Sequence, residues 1–184
     1  MVVPEPFWVG QAAMDVAEAR AFAELVHAKE REPDGTPLLD HIRRVAHRVP
    51  AEARPAAWLH EVLESPGVTE QDLLMANLTT DELRALRLLC RTNDARSVSV
   101  YLAHVDLIER AAGRSGYLAR LVKVADLEDR CRHPRVRDDG WSPPYADGLA
   151  LLRRRPRAGT TAHRGADALV PLSAARDTRT TTSG

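Results

Sequence analysis

The sequence predicts an all-α fold, on three observations. Apolar residues recur at the three-and-four spacing of buried helix faces along most of the chain. Thr-led capping patterns mark helix starts. No segment alternates with period two for long enough to make a convincing strand. Together they predict a domain of some seven helices.

Met14, Val16, Phe22, Leu25 and Val26 form the stripe of a first helix, and Leu38, Ile42, Val45, Ala46 and Val49 form that of a second, closed by Pro50. A third, from about Arg54 through Glu64, is apolar at Ala56, Ala57, Trp58, Leu59, Val62 and Leu63. That is too many sides for a surface helix, so it should lie centrally. Thr69 ahead of an acidic turn, and Thr79 with Glu82, start two short helices. A longer helix runs from about Val98 to Ala112, stopped by Gly113. Another runs from about Gly116 to Cys131 with Leu118, Leu121, Val122 and Ala125 inward. The last, about Pro144 to Arg154, follows the turn-forming WSPP, and no internal repeat is present.

Composition bounds the function. In 184 residues, 26 basic side chains balance 26 acidic ones, so the bulk charge gives no strong nucleic-acid signal. With 44% hydrophobic and 28% charged residues the chain can bury a normal core. No apolar run approaches the roughly 20 residues that cross a bilayer, and the start MVVPEPFW has no basic n-region. The expectation is a cytoplasmic protein with no membrane association. Cys90 and Cys131 sit in no CxxC pair and read as two free, buried thiols. The balance is locally uneven: residues 153–184 hold seven arginines and two aspartates, with few large apolar side chains after Arg155. This divides the chain into a helical domain, 1–155, and a disordered Arg/Thr-rich tail, 156–184.

The central segment carries His60 and Glu61 in succession among apolar neighbours, where an unpartnered charge costs several kcal/mol. A cation is one such partner. Adjacent helix positions diverge by about 100°, so both can reach an ion only at the helix edge, and further ligands must come from other helices. His41 and Asp126 are the candidates. Two imidazoles and two carboxylates suit manganese, iron or zinc better than calcium. Singly, each residue also has an ordinary reading: a core histidine, a solvated stripe, or an ion pair of Asp126 with Arg130 at i+4.

Three segments, HAKEREPDGTPLLDHIRRVA, AAWLHEVLES and RLVKVADLEDR, occur in an order that resembles the hydrolase half of the RelA/SpoT type. That type is a branch of the HD superfamily of metal-dependent phosphohydrolases, and the resemblance covers about His27 to Arg132. It implies a compact HD-like helical bundle and a divalent ion, manganese favoured, held by His41, His60, Glu61 and Asp126. It implies that Glu64 helps to activate or position water, and that His27 is structural. The implied substrate is a nucleotide, for the RelA/SpoT type a guanosine tetraphosphate or pentaphosphate that loses its 3′-pyrophosphate. Arg31, Arg43 and Arg44 are candidates to meet substrate phosphates. The pattern departs from the family at four points. The doublet is His-Glu where the family has His-Asp, Ser65 follows Glu64 where the family has Asp, Glu32 stands where the family has a base-contacting Arg, and Arg130 replaces an Asn. No synthetase domain fits after the helical region. Two alternatives accompany the hydrolase: a catalytically degenerate nucleotide-binding or regulatory module of the same fold, and a helical interaction protein whose polar residues only stabilise packing.

Overall fold

The computed structural model of the chain describes residues 12–90, 97–135 and 142–154, so the expected tail, 156–184, lies outside the described residues. Among the described residues there are eight α-helices and no strand. They are α1 (Val16–Val26), α2 (Leu38–Arg48), α3 (Arg54–Trp58), α4 (Glu70–Met75), α5 (Thr80–Leu89), α6 (Val98–Arg110), α7 (Gly113–Arg132) and α8 (Tyr145–Leu152). Short 3-10 turns occupy Ala51–Ala53 and Val62–Glu64, and one isolated bridge joins Arg31 to Pro37. Thr69 with Asp72 and Thr79 with Glu82 close reciprocal capping boxes at the starts of α4 and α5, as Asp15 with Glu18 does for α1.

The longest helix is the axis. α7 packs against α2, α3, α5, α6 and α8, and is therefore buried on most of its circumference. Its apolar residues Leu118, Ala119, Val122 and Leu127 join a core with Ile42 and Val45 of α2, Ala56 and Trp58 of α3, and Leu83 and Leu86 of α5. One side of α7 is charged: Lys123, Asp126, Asp129 and Arg130 follow at three-and-four spacing and are buried. Buried charges must be paired, and these point toward α2 and the end of α3.

Three expectations are corrected. The third helix is not continuous from Arg54 to Glu64: α3 ends at Trp58, Leu59 leaves helical geometry at φ −99° and ψ 3°, and a 3-10 turn resumes at Val62. The cause is local. The Nδ1–H of His60 donates to the Ala57 carbonyl at 2.7 Å, and so takes the acceptor that the Glu61 amide would use in a continued helix. Gly113, expected to stop α6, instead opens α7, whose first turn folds back on the end of α6. Cys90 is half-buried and Cys131, next to the inward Arg130 but on the outer side of the last turn of α7, is exposed. Neither forms a disulfide among the described residues.

Gly116 lies at that fold-back, where an added Cβ would stand 2.1 Å from the carbonyl oxygen of Ala111. Because the neighbour is backbone, the chain itself has to move. Gly116→Ala should lower stability by about 1–3 kcal/mol in a denaturant titration, and a variant as stable as the parent would contradict this close approach.

Candidate metal centre

Three ligand atoms meet where α2, the end of α3 and α7 adjoin. His41 sits on the buried stripe of α2 and its Nδ1–H donates to Oδ2 of Asp129 at 2.8 Å, which turns Nε2 forward. His60 is fixed by its Nδ1 bond to Ala57, so its Nε2 also faces forward, 3.3 Å from that of His41. Asp126 accepts from the Lys123 ammonium through Oδ2 at 2.7 Å and presents Oδ1 to His41 Nε2 at 3.4 Å. The ligating atoms of His41, His60 and Asp126 all lie within 4.8 Å of one another. Ligand atoms about 2.1 Å from a shared ion stand about 3.0–3.4 Å apart, which the two measured separations match. With both Nδ1 atoms used as donors, two neutral imidazoles would aim lone pairs at each other and at a carboxylate oxygen. That donor set fits a divalent cation and is repulsive without a cation or a proton.

The acidic groups around this point are all paired. Glu61, in the broken segment, places Oε1 3.8 Å from both imidazole Nε2 atoms and accepts from Nη2 of Arg130 at 3.3 Å. Arg130 donates through Nη1 to Glu32 at 2.9 Å, and its Nε lies 3.7 Å from Asp126 Oδ1. The other oxygen of Glu32 is 3.2 Å from Arg135. Behind His41, Asp129 takes both Nε and Nη2 of Arg44 at 2.9 Å and Nη1 of Arg48 at 2.6 Å.

These contacts set the protonation states. Burial opposes a charge on His41, but hydrogen bonds to Asp126 and Asp129 prevail and raise its pKa. Burial depresses His60, with Glu61 pulling only partly the other way. For Asp126 burial is outweighed by Lys123 and His41, and its carboxyl is held well below the usual range. Asp129 is lowered in the same way, its burial outweighed by hydrogen bonds from His41, Arg44 and Arg48. In Glu61 the opposing charges of His60, Arg130 and His41 overcome burial and lower the pKa.

Glu64 is exposed at a cleft lined also by His60, Glu61, Lys123, Asp126, Arg130 and Arg135. Arg44 lines a neighbouring cavity of about 320 Å³ with Glu32, Asp34, Arg130 and His133. Arg31 is exposed beside the bridge to Pro37, Arg43 is exposed and paired with Asp40 at 3.2 Å, and neither lines these two cavities. His27 caps the end of α1, with Nδ1 3.1 Å from Glu30 and 3.3 Å from the Ser65 hydroxyl, which donates to Glu30 at 2.8 Å. Sequence reasoning missed Asp129, Lys123, Arg48 and Arg135. The available signal was the three-residue step from Lys123 to Asp126 to Asp129, which puts all three on one side of a helix.

No family model matches the sequence, and comparison with curated proteins finds no match either. Among solved structures, a metazoan ortholog of SpoT that hydrolyzes ppGpp and plays a role in starvation responses superimposes with a TM-score of 0.59. The match covers 79% of this chain and 89% of that one, at 20% sequence identity. The chain shares its all-helical fold with that protein. At 20% identity the likeness speaks for the fold. No helix among the described residues is long and apolar enough to cross a membrane.

The Asp129 contacts predict an acid limb of stability. A carboxyl whose folded pKa lies below the ordinary 3.8 stabilises fully above pH of about 4 and loses that contribution as pH falls toward its lowered value. The metal-free protein should therefore lose melting temperature below pH about 4. Asp129→Asn should start about 1–3 kcal/mol less stable at pH 7 and show a shallower acid limb. An acid limb identical to the parent's would count against the assignment.

Proposed function

We propose that the protein is a metal-dependent phosphohydrolase that acts on a phosphate or pyrophosphate linkage of a nucleotide, with the guanosine tetra- and pentaphosphate alarmones as the first candidates. The observation that carries this reading is the convergence of His41, His60 and Asp126 at a cleft rimmed by acidic and basic side chains, in the fold of a protein that hydrolyzes ppGpp. His41, His60 and Asp126 would hold the ion, with Glu61 as the fourth candidate ligand. Manganese is favoured, and iron or zinc also suits the nitrogen and oxygen set. A divalent ion in such a site acidifies bound water and withdraws charge from phosphoryl oxygens.

The chain's own residues divide the remaining work. Lys123 and Asp129 hold Asp126 and His41 in position from behind. Glu64, which lines the cleft, would accept the proton of an attacking water. Arg130 and Arg135 line both the cleft and the 320 Å³ cavity and offer paired donors to phosphate oxygens. That cavity is in the size range of small-molecule pockets, and Arg44 on its wall is the substrate-side arginine of the three considered. No nucleophilic side chain is required, and we assign the activity to the cytoplasm.

Ser65 favours a second reading, a nucleotide-binding module without turnover, because its hydroxyl is spent on Glu30 and His27 where the resembled family has another carboxylate. The two separate in one assay. Phosphate and pyrophosphate release followed over a nucleotide panel with manganese should identify a substrate, and His60→Ala and Asp126→Ala should each lower the rate at least about 100-fold. Activity that survives both substitutions would exclude this site, and saturable nucleotide binding without release would favour the binding module.

A further inference from the structure

We propose that this chain binds a divalent ion and a phosphate-bearing anion as linked events, and that Arg130 is the residue that links them. The inference rests on the metal-centre reading above and concerns how that site is balanced. The four carboxylates nearest the proposed ion are each matched by a fixed cation: Asp126 by Lys123, Glu61 and Glu32 by Arg130 and Arg135, and Asp129 by Arg44 and Arg48. An added divalent ion therefore brings positive charge that none of these four acids is left over to balance. It would also sit close to the Arg130 guanidinium, whose Nε is 3.7 Å and whose Nη2 is 3.3 Å from the oxygens of Asp126 and Glu61. Arg130 cannot relieve the repulsion by swinging into solvent, because it is 5% exposed and anchored to the buried Glu32.

An anion in the cleft changes the balance. Arg130 and Arg135 both line it, and a phosphate supplies the missing negative charge. A guanidinium that turns one edge from Glu61 to a phosphate oxygen keeps its Nη1 bond to Glu32. The Glu61 carboxylate, 3.8 Å from both imidazoles, is then released toward the ion. Anion binding thus strengthens ion binding, and by thermodynamic necessity the ion strengthens anion binding by the same factor.

The test follows free manganese by its electron paramagnetic resonance signal during titration of the full chain, with and without inorganic phosphate, corrected for manganese phosphate formed in protein-free buffer. His60→Ala defines binding elsewhere. Phosphate should tighten manganese binding about tenfold or more in the parent. Arg130→Gln should bind manganese more tightly than the parent without phosphate and gain no more than about twofold from it. Glu61→Gln, which removes the carboxylate that Arg130 releases, should lose most of the gain, and decides the matter if Arg130→Gln does not fold. Equal manganese affinity with and without phosphate in the parent, or an undiminished gain in Glu61→Gln, would overturn the linkage and leave the metal centre standing. No site-specific manganese binding in any of these proteins under either condition would overturn both.

Discussion

The carboxylate of Asp129, fully buried between α2 and α7, is the constraint on which the site depends. A charge in that position persists only if its partners are close and well aligned. It has three: His41 in front, and Arg44 and Arg48 from successive turns of α2 behind. The same contact that satisfies Asp129 decides which imidazole nitrogen of His41 carries the proton and which faces the site. One interaction thereby docks two helices whose paired residues lie 88 positions apart in sequence and orients a candidate ligand. Loss of it would leave α7 with a buried acid and His41 without a fixed direction.

The break after Trp58 solves the geometric problem posed by adjacent ligands. In a continuous helix His60 and Glu61 would point about 100° apart. The His60 side chain removes the Ala57 carbonyl from the helical ladder and in the same bond fixes its own ring. Beyond the break Glu61 can approach both imidazoles, where Arg130 takes hold of it. The site is consequently well ordered in charge, with Glu61 paired to Arg130 and Asp126 to Lys123.

Much of the fold was legible because helix periodicity and capping boxes are local properties. The second helix, and the starts of α4 and α5, follow directly from Leu38, Ile42 and Val45 and from Thr69 and Thr79. The third helix was misjudged because its interruption comes from a side-chain bond, and apolar pattern carries no trace of that. His41, His60 and Asp126 were legible through an ordered resemblance of three segments. Asp129 was not, since an aspartate in Leu-Glu-Asp-Arg near a helix end looks like solvated surface until α2 covers it. Arg130 was read as the i+4 partner of Asp126. Its shorter bond goes to Glu32, 98 residues away, and a contact that long-range is invisible to spacing. The two departures at Glu32 and Arg130 thus prove to be one interaction: an acid and a base that face each other across the site.

Helix α2, the broken segment after α3, and α7 bring two imidazoles and a carboxylate to one candidate cation site. The most direct measurement is anomalous diffraction from a crystal of the protein grown with manganese. One strong peak is expected between Nε2 of His41, Nε2 of His60 and Oδ1 of Asp126, absent in crystals of His60→Ala. A well-ordered structure with no peak among those three atoms, or with manganese bound only elsewhere, would contradict it.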